Sequence, residues 1–194
     1  LGKSQALAAG AATCVGIIYG MNLIEISQAL ANYNGPKGRL KILKGIKNSI
    51  IIDDTYNAAP ASTHLALDTL KSLPAKRRIA ILGDMLELGK YTIEAHEEMG
   101  NFAGSTADIF VTVGARAKFS AYAAGNQMDQ KNIHSFVNSD SAKVEVQELI
   151  REGDLILVKG SQGMRMEKIV EEIMAESEHK KELLVRQGKK WLNM

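Results

Sequence analysis

Residues 49–57 read Ser49-Ile50-Ile51-Ile52-Asp53-Asp54-Thr55-Tyr56-Asn57. A short unbroken run of β-branched residues suits a strand covered on both faces, and the polar cluster straight after it marks where the strand stops. The same texture returns at Arg78–Leu82, Asp108–Val113, Ile133–Val137 and Leu155–Val158. Amphipathic stretches lie between these runs: Thr63–Leu73, with Leu65, Ala66, Leu70 and Leu73 on one face, then Thr92–Ala103, Ala117–Ala124 and Ser141–Arg151. Strand alternating with helix predicts an α/β fold, a mostly parallel sheet with helices on both faces. No repeat of 20 to 50 residues is visible, which excludes a solenoid.

Outward from this core, Arg39–Lys44 reads as a further strand, joined to the first through a turn at Gly45–Asn48. Ser62 is placed to cap the helix that Pro74 follows. A last helix begins near Met164, and its methionines up to Met174 read as core packing. Upstream, residues 2–33 read as two helices broken at Gly20-Met21-Asn22, the second opened by Asn22 and Glu25 at capping-box spacing. Asn34-Gly35-Pro36-Lys37-Gly38 cannot continue a helix and reads as a hinge. The expected organisation is therefore 1–37, 38–176 and a charged helical tail over 177–194.

Composition bounds the partners. The 194 residues carry 24 Lys plus Arg against 22 Asp plus Glu, so no broad basic field exists for nucleic acid. A hydrophobic share of 45% argues for a folded chain. The single cysteine, Cys14, excludes an internal disulfide and a thiolate cluster, which points to a cytoplasmic setting. Residues 6–19 are too short to span a membrane. Because the chain opens on Leu1, it reads as part of something longer.

In an open parallel sheet, ligands bind beyond the carboxyl ends of the strands, so the residues just after each run are the candidates. Asp53 and Asp54 could accept ribose hydroxyls or approach a metal, or simply form a turn. Asp84 and Glu87, after the second run, could bind an ammonium, although Gly83-Asp84 is also ordinary turn chemistry. Lys159-Gly160-Ser161-Gln162-Gly163 leads toward a helix, where amides, a hydroxyl and an ammonium could receive a carboxylate or phosphate. Gly114-Ala115-Arg116 has the same logic and reads as structural. His96 shares its helix with Glu94, Glu97 and Glu98 and is expected at the surface. No metal-ligand spacing links it to His64, His134 or His179, so no metal site is expected. Gly2-Lys3-Ser4 matches only the end of a phosphate-binding loop.

Taken together, Asp54-Thr55-Tyr56-Asn57-Ala58-Ala59-Pro60, Leu82 to Gly89 with His96, and Val158-Lys159-Gly160-Ser161 resemble the C-terminal region of the Mur ligases, over residues 2 to 175. The resemblance implies a Rossmann-like C-terminal domain behind the last helices of a central ATPase domain. It also implies a monomeric ATP-dependent ligase of peptidoglycan precursor synthesis that joins D-Ala-D-Ala to UDP-MurNAc-tripeptide through an acyl phosphate. ATP and Mg2+ would be required, with the metal ligands and phosphate loop outside this chain, so that this portion alone would be inactive. Arg39 would approach the ATP phosphates as the catalytic cation, Asp54 would hold the ribose, and Tyr56 and Asn57 would wall the nucleotide. Asp84, Glu87 and His96 would surround the incoming dipeptide, and Lys159 with Ser161 would receive its carboxylate. Gln162 stands where relatives often have Arg, and Ser4, Gln5 and Ala8 stand where the family carries His and Asn residues, including an Asn that faces adenine. A sister ligase adding a single amino acid is disfavoured by Tyr56-Asn57 and Gly83-Asp84-Met85. A non-catalytic module of the same fold is the other alternative. A dinucleotide-binding domain is excluded, because no Gly-x-Gly-x-x-Gly follows any of the strands.

Overall fold

In the computed structural model, which describes residues 2–192, six strands form one sheet. They are β1 (Lys41–Lys44), β2 (Ile50–Asp54), β3 (Arg78–Gly83), β4 (Ile109–Val113), β5 (Ile133–Phe136) and β6 (Leu155–Lys159). Their order across the sheet is β1-β2-β6-β3-β4-β5. Every pairing is parallel except β1 with β2, which is antiparallel.

The helices follow from the handedness of the crossovers. The helix α1 (Gly2–Ile18) and α2 (Leu23–Ala31) precede the sheet, and α3 (Pro60–Ser72), α4 (Thr92–Gly104) and α5 (Ala117–Ala124) connect β2 through β5. Those three connections all step the same way across the sheet, so right-handed crossovers put their helices on one face. The connection through α6 (Ser139–Leu149) steps back to β6 and must lie on the other face, which α7 (Glu167–Ile173) shares. Strand side chains alternate accordingly. Ile52, Leu82, Phe110 and Leu157 pack with Leu67, Leu70, Met99 and Ala124, whereas Ile51, Ile81, Val111 and Val158 pack with Val146, Ile169 and Ile173. Met166 and Met174 join the second cluster as core residues, as their spacing suggests.

Several local expectations shift. The first strand starts at Lys41 instead of Arg39, because Leu40 has φ of 52° and turns the chain before the strand begins. Helix α3 starts at Pro60, a proline suited to the first helical turn. Ser62 is then its third residue and not its cap: the Ala59 amide donates to Ser62 Oγ at 3.1 Å. The same shift moves the start of α6 to Ser139, with Asn138 capping and the Ser141 amide donating to Asn138 Oδ1 at 2.9 Å. The Asn22 and Glu25 capping box forms as expected. After β6 the chain makes a 3-10 turn over Gln162–Met164 and passes through Arg165, with φ of 54°, before α7 opens, so the segment does not run straight into an α-helix.

The expected helical tail is the largest departure. Residues after Ile173 form two single-turn helices, α8 (Lys180–Leu183) and α9 (Lys189–Leu192), separated by a segment laid against the domain. Leu184 is buried in the second apolar cluster. A charged tail anchored by one buried leucine folds back rather than fraying.

Candidate functional site

The switch in strand order decides where the loops meet. Because β6 lies between β2 and β3, the segments after all three share one edge of the sheet. Ser161 stitches them together: its amide donates to the Asp84 carbonyl at 3.0 Å, its Oγ accepts from the Leu86 amide at 2.8 Å, and it donates to the Ala58 carbonyl at 3.3 Å. The hydroxyl proposed for a carboxylate is thus occupied in bracing loops.

Asp54 and Lys159 are direct neighbours in the β2–β6 register. The Lys159 Nζ donates to Asp54 Oδ2 at 2.6 Å and to the Asn57 carbonyl at 2.9 Å, while the Leu40 amide donates to Asp54 Oδ1 at 3.1 Å. Two residues expected in separate subsites therefore form one buried ion pair. Burial holds the Lys159 ammonium below the ordinary lysine range, offset in part by Asp54, and the charge of Arg39 acts in the same direction as burial. The exposed Arg39 guanidinium stacks on the Tyr56 ring at 4.1 Å from its centroid. Asn57 is exposed beside them.

Asp53 turns to the opposite side of the strand. Its Oδ1 accepts from the Thr55 hydroxyl at 2.6 Å and the Thr55 amide at 3.2 Å, and its Oδ2 is buried without a partner. Burial pushes its carboxyl up to about 6. Asp53 is thus a fully buried carboxylate near the end of β2 and not a second ribose acceptor at the surface.

The second loop is held from beneath. Asp84 Oδ1 accepts from the Arg116 and Ala117 amides at 3.0 and 2.7 Å, so this carboxylate caps the N-terminus of α5 across the loop. Gly114, with φ of 117°, permits the approach, since a Cβ there would collide with the Asp84 carboxylate. His96 is 1% exposed, contrary to the surface position its helix suggested. Its Nε2 accepts from the Met85 amide at 3.1 Å and its Nδ1 lies 2.7 Å from the Thr92 carbonyl, an arrangement met by the neutral ring with the proton on Nδ1. Asp84, His96 and Ser161 thus fix the backbone of 84–86, and Glu87, exposed with φ of 64°, is left projecting from it.

A cleft of about 600 Å³ opens between α1, α2 and the start of the sheet, lined in part by Gln5, Ala8, Tyr33 and Arg39. A smaller one of about 260 Å³, which shares Gln5, Ala8, Arg39 and Leu40 with it, reaches down to Asp54, Ser62 and Lys159. The Ser4 side chain, expected beside Gln5, lies outside the described residues. Lys3 and Ser4, the end of the loop-like Gly2-Lys3-Ser4, likewise fall outside the described side chains. Among the described residues no three His, Cys, Asp or Glu side chains are placed to hold a metal ion. No described helix is long and apolar enough to cross a membrane.

Sequence reasoning also passed over Glu167, Arg165 and Arg186. Glu167 is 1% exposed, pairing with Arg165 Nε at 2.6 Å and Arg186 Nη1 at 2.9 Å. Only an acidic residue inside an apolar helix could have signalled it; the arginines read as solvated charge.

The chain is similar to known proteins over most of its length. A UDP-N-acetylmuramoyl-tripeptide–D-alanyl-D-alanine ligase of Rickettsia prowazekii is 39% identical over 152 residues, 76% of this chain and 32% of that protein. The enzyme of the same name from Bacillus subtilis is 31% identical over 176 residues, 90% of this chain and 38% of that protein. The crystal structure of a MurF ligase from Thermotoga maritima in complex with ADP matches 93% of this chain and 40% of its own, with a TM-score of 0.75 at 25% identity. The chain spans roughly a third of the length of the curated relatives it matches. The sequence pattern described as "Mur ligase, glutamate ligase domain" matches residues 38–162, the whole sheet and the loops at its edge, and the chain belongs to the Mur ligase family.

Proposed function

We propose that this chain is the C-terminal part of an ATP-dependent ligase that joins D-Ala-D-Ala to UDP-MurNAc-tripeptide through an acyl phosphate. The observation that carries the reading is the extent of the match: a relative bearing that name aligns across 90% of the chain, more than the 38–162 segment that holds the sheet. Arg39 is the exposed cation at that cleft, held flat by Tyr56, and suits the phosphates of a nucleotide. Asp54 keeps lone pairs beyond those taken by Leu40 and Lys159 and would accept ribose hydroxyls, with Tyr56 and Asn57 as the wall. Lys159 supports this carboxylate from below and lends its charge to an anion entering the smaller cleft.

The dipeptide side rests on the 84–87 loop. Glu87 would meet the incoming ammonium, and Asp84, His96 and Ser161 would act through the backbone they hold. The segment 34–38 between α2 and β1 gives a pivot on which the domain could close over the acyl phosphate and keep water from it. Mg2+ accompanies ATP in such chemistry, but the described residues do not fit it, and no step here passes through it. The setting would be cytoplasmic and the protein a monomer.

The test is phosphate release from ATP by the full-length ligase given UDP-MurNAc-tripeptide, with D-Ala-D-Ala, with single L-amino acids, or with neither. Release that depends on the D-dipeptide supports the reading. Release that depends on one amino acid would assign a sister ligase, and no dependence on either would leave a binding module.

A further inference from the structure

The C-terminal segment touches the nucleotide loop at more points than chain continuity requires. Arg186 is part-buried, and its Nη1 donates to the Thr55 carbonyl at 2.9 Å while its Nη2 donates to the Tyr56 carbonyl. The same guanidinium is anchored on Glu167 of α7, and the Trp191 ring lies over it at 5.8 Å. Val185 packs against Gly38, where φ is 65° and a Cβ would sit 2.9 Å from both the valine and the Tyr56 amide. Lys37 Nζ donates to the Lys181 carbonyl at 2.7 Å, and the Tyr56 amide donates to the Gly38 carbonyl at 3.1 Å. The tail, the end of the hinge and the loop after β2 are therefore one hydrogen-bonded unit.

We propose that residues 180–191 form a strap that sets the loop bearing Tyr56, with Arg186 as its positioning residue. The inference rests on the nucleotide role given above to Asp54, Tyr56 and Arg39. A guanidinium has a planar fork of donors that can take two successive carbonyls and a carboxylate at once, which no other side chain offers. Arg186 meets the loop through the Thr55 and Tyr56 carbonyls, whereas Arg39 meets it through the Tyr56 ring, so the strap acts through the backbone. Without it, the Thr55 and Tyr56 carbonyls would lose their shared donor, the loop would be held by the Thr55 and Tyr56 amides alone, and the platform under Arg39 would loosen.

The test compares Arg186→Met, which keeps bulk and removes every donor, with Arg186→Lys, which keeps the ion pair to Glu167 and gives a folded control. In the 194-residue chain, amide exchange at Gly38 and residues 55–57 should speed up about tenfold in Arg186→Met and about threefold in Arg186→Lys, with β3 and β4 amides unchanged. Trp191 is the only tryptophan, so its emission reports strap release directly. In the full-length ligase the KM for ATP should rise several-fold, with the KM for D-Ala-D-Ala unmoved. Unaltered exchange at residues 55–57, or a uniform rise across the sheet, would overturn the strap. A wild-type ligase that ignores D-Ala-D-Ala would instead overturn the functional reading, and the exchange data would still decide the strap.

Discussion

Strand β6 carries a buried ion pair at each end of the sheet, and the two are built differently. At the entry edge, Asp154 precedes the strand and is 2% exposed; Arg77 reaches it with Nε at 2.8 Å and Nη2 at 2.5 Å, and the Arg151 amide adds a bond at 2.7 Å. Arg77 also donates to the Leu149 carbonyl at 2.7 Å, so its Nε and Nη2 donors are spent on the fold. At the exit edge, Lys159 and Asp54 are just as close but open onto a cleft, with the positive Arg39 near enough to act on the lysine. A bidentate guanidinium closes a loop, whereas a point-charge ammonium beside an open cleft leaves acceptor capacity for a ligand. The same strand thus ends in a fastener on one side and in an ion pair at the floor of a cleft on the other.

Breaking the two pairs should separate stability from nucleotide use. Asp154→Ala strands Arg77 and is expected to cost about 3–4 kcal/mol by denaturant unfolding, with ATP affinity unchanged at a temperature where the variant is folded. Lys159→Met is expected to cost less, about 2–3 kcal/mol, because Asp54 keeps the Leu40 amide, but to weaken ATP use as well. A double-mutant cycle with Asp54→Asn should show coupling on the order of 1–3 kcal/mol, and additivity would mean that the pair does not act as a unit.

Asp53 sharpens the comparison, since it is a carboxylate on β2 with no ion-pair partner among the described residues. Its carboxyl titrates near 6 when folded and near 3.8 when free, so the folded chain binds the extra proton between those values. Its contribution therefore makes stability fall as pH rises from about 4 to 6 and level off above that. Asp53→Asn keeps the acceptor for Thr55 and should stabilise the chain on the order of 1–2 kcal/mol at pH 8, while flattening this part of the pH profile. A variant with the wild-type pH slope would remove Asp53 as its source. The smallest effect belongs to the surface: Tyr56→Leu removes the platform under Arg39 and should cost roughly 0.5–1 kcal/mol of stability by thermal unfolding, with a larger proportional loss in ATP use.

How much of this was legible follows from the range of the interactions. The apolar runs at 51–52, 79–82, 110–111 and 155–158 marked their strands because burial on both faces leaves a local signature. Strand ends at Asp54, Asp84 and Lys159 marked the site's edge for the same reason. Roles were less visible. Asp84 and His96 read as ligand contacts or surface groups, yet each satisfies backbone amides more than ten residues away, and nothing in their own neighbourhoods announces those partners. The tail misled in the other direction: residues 176–190 have the composition of a solvated helix, and only Leu184 and the carboxylate of Glu167 reveal that they dock.

The sequence by itself determined the α/β class, the apolar runs of the strands and the family, because each depends on patterns a few residues long. Only the tertiary structure decided that β6 enters between β2 and β3, and hence that Asp54 meets Lys159, that Ser161 braces three loops and that Arg186 reaches the loop after β2. Those partners are 75 to 131 residues apart along the chain, and pairings at such separation are set by the order in which strands pack, which no local pattern encodes.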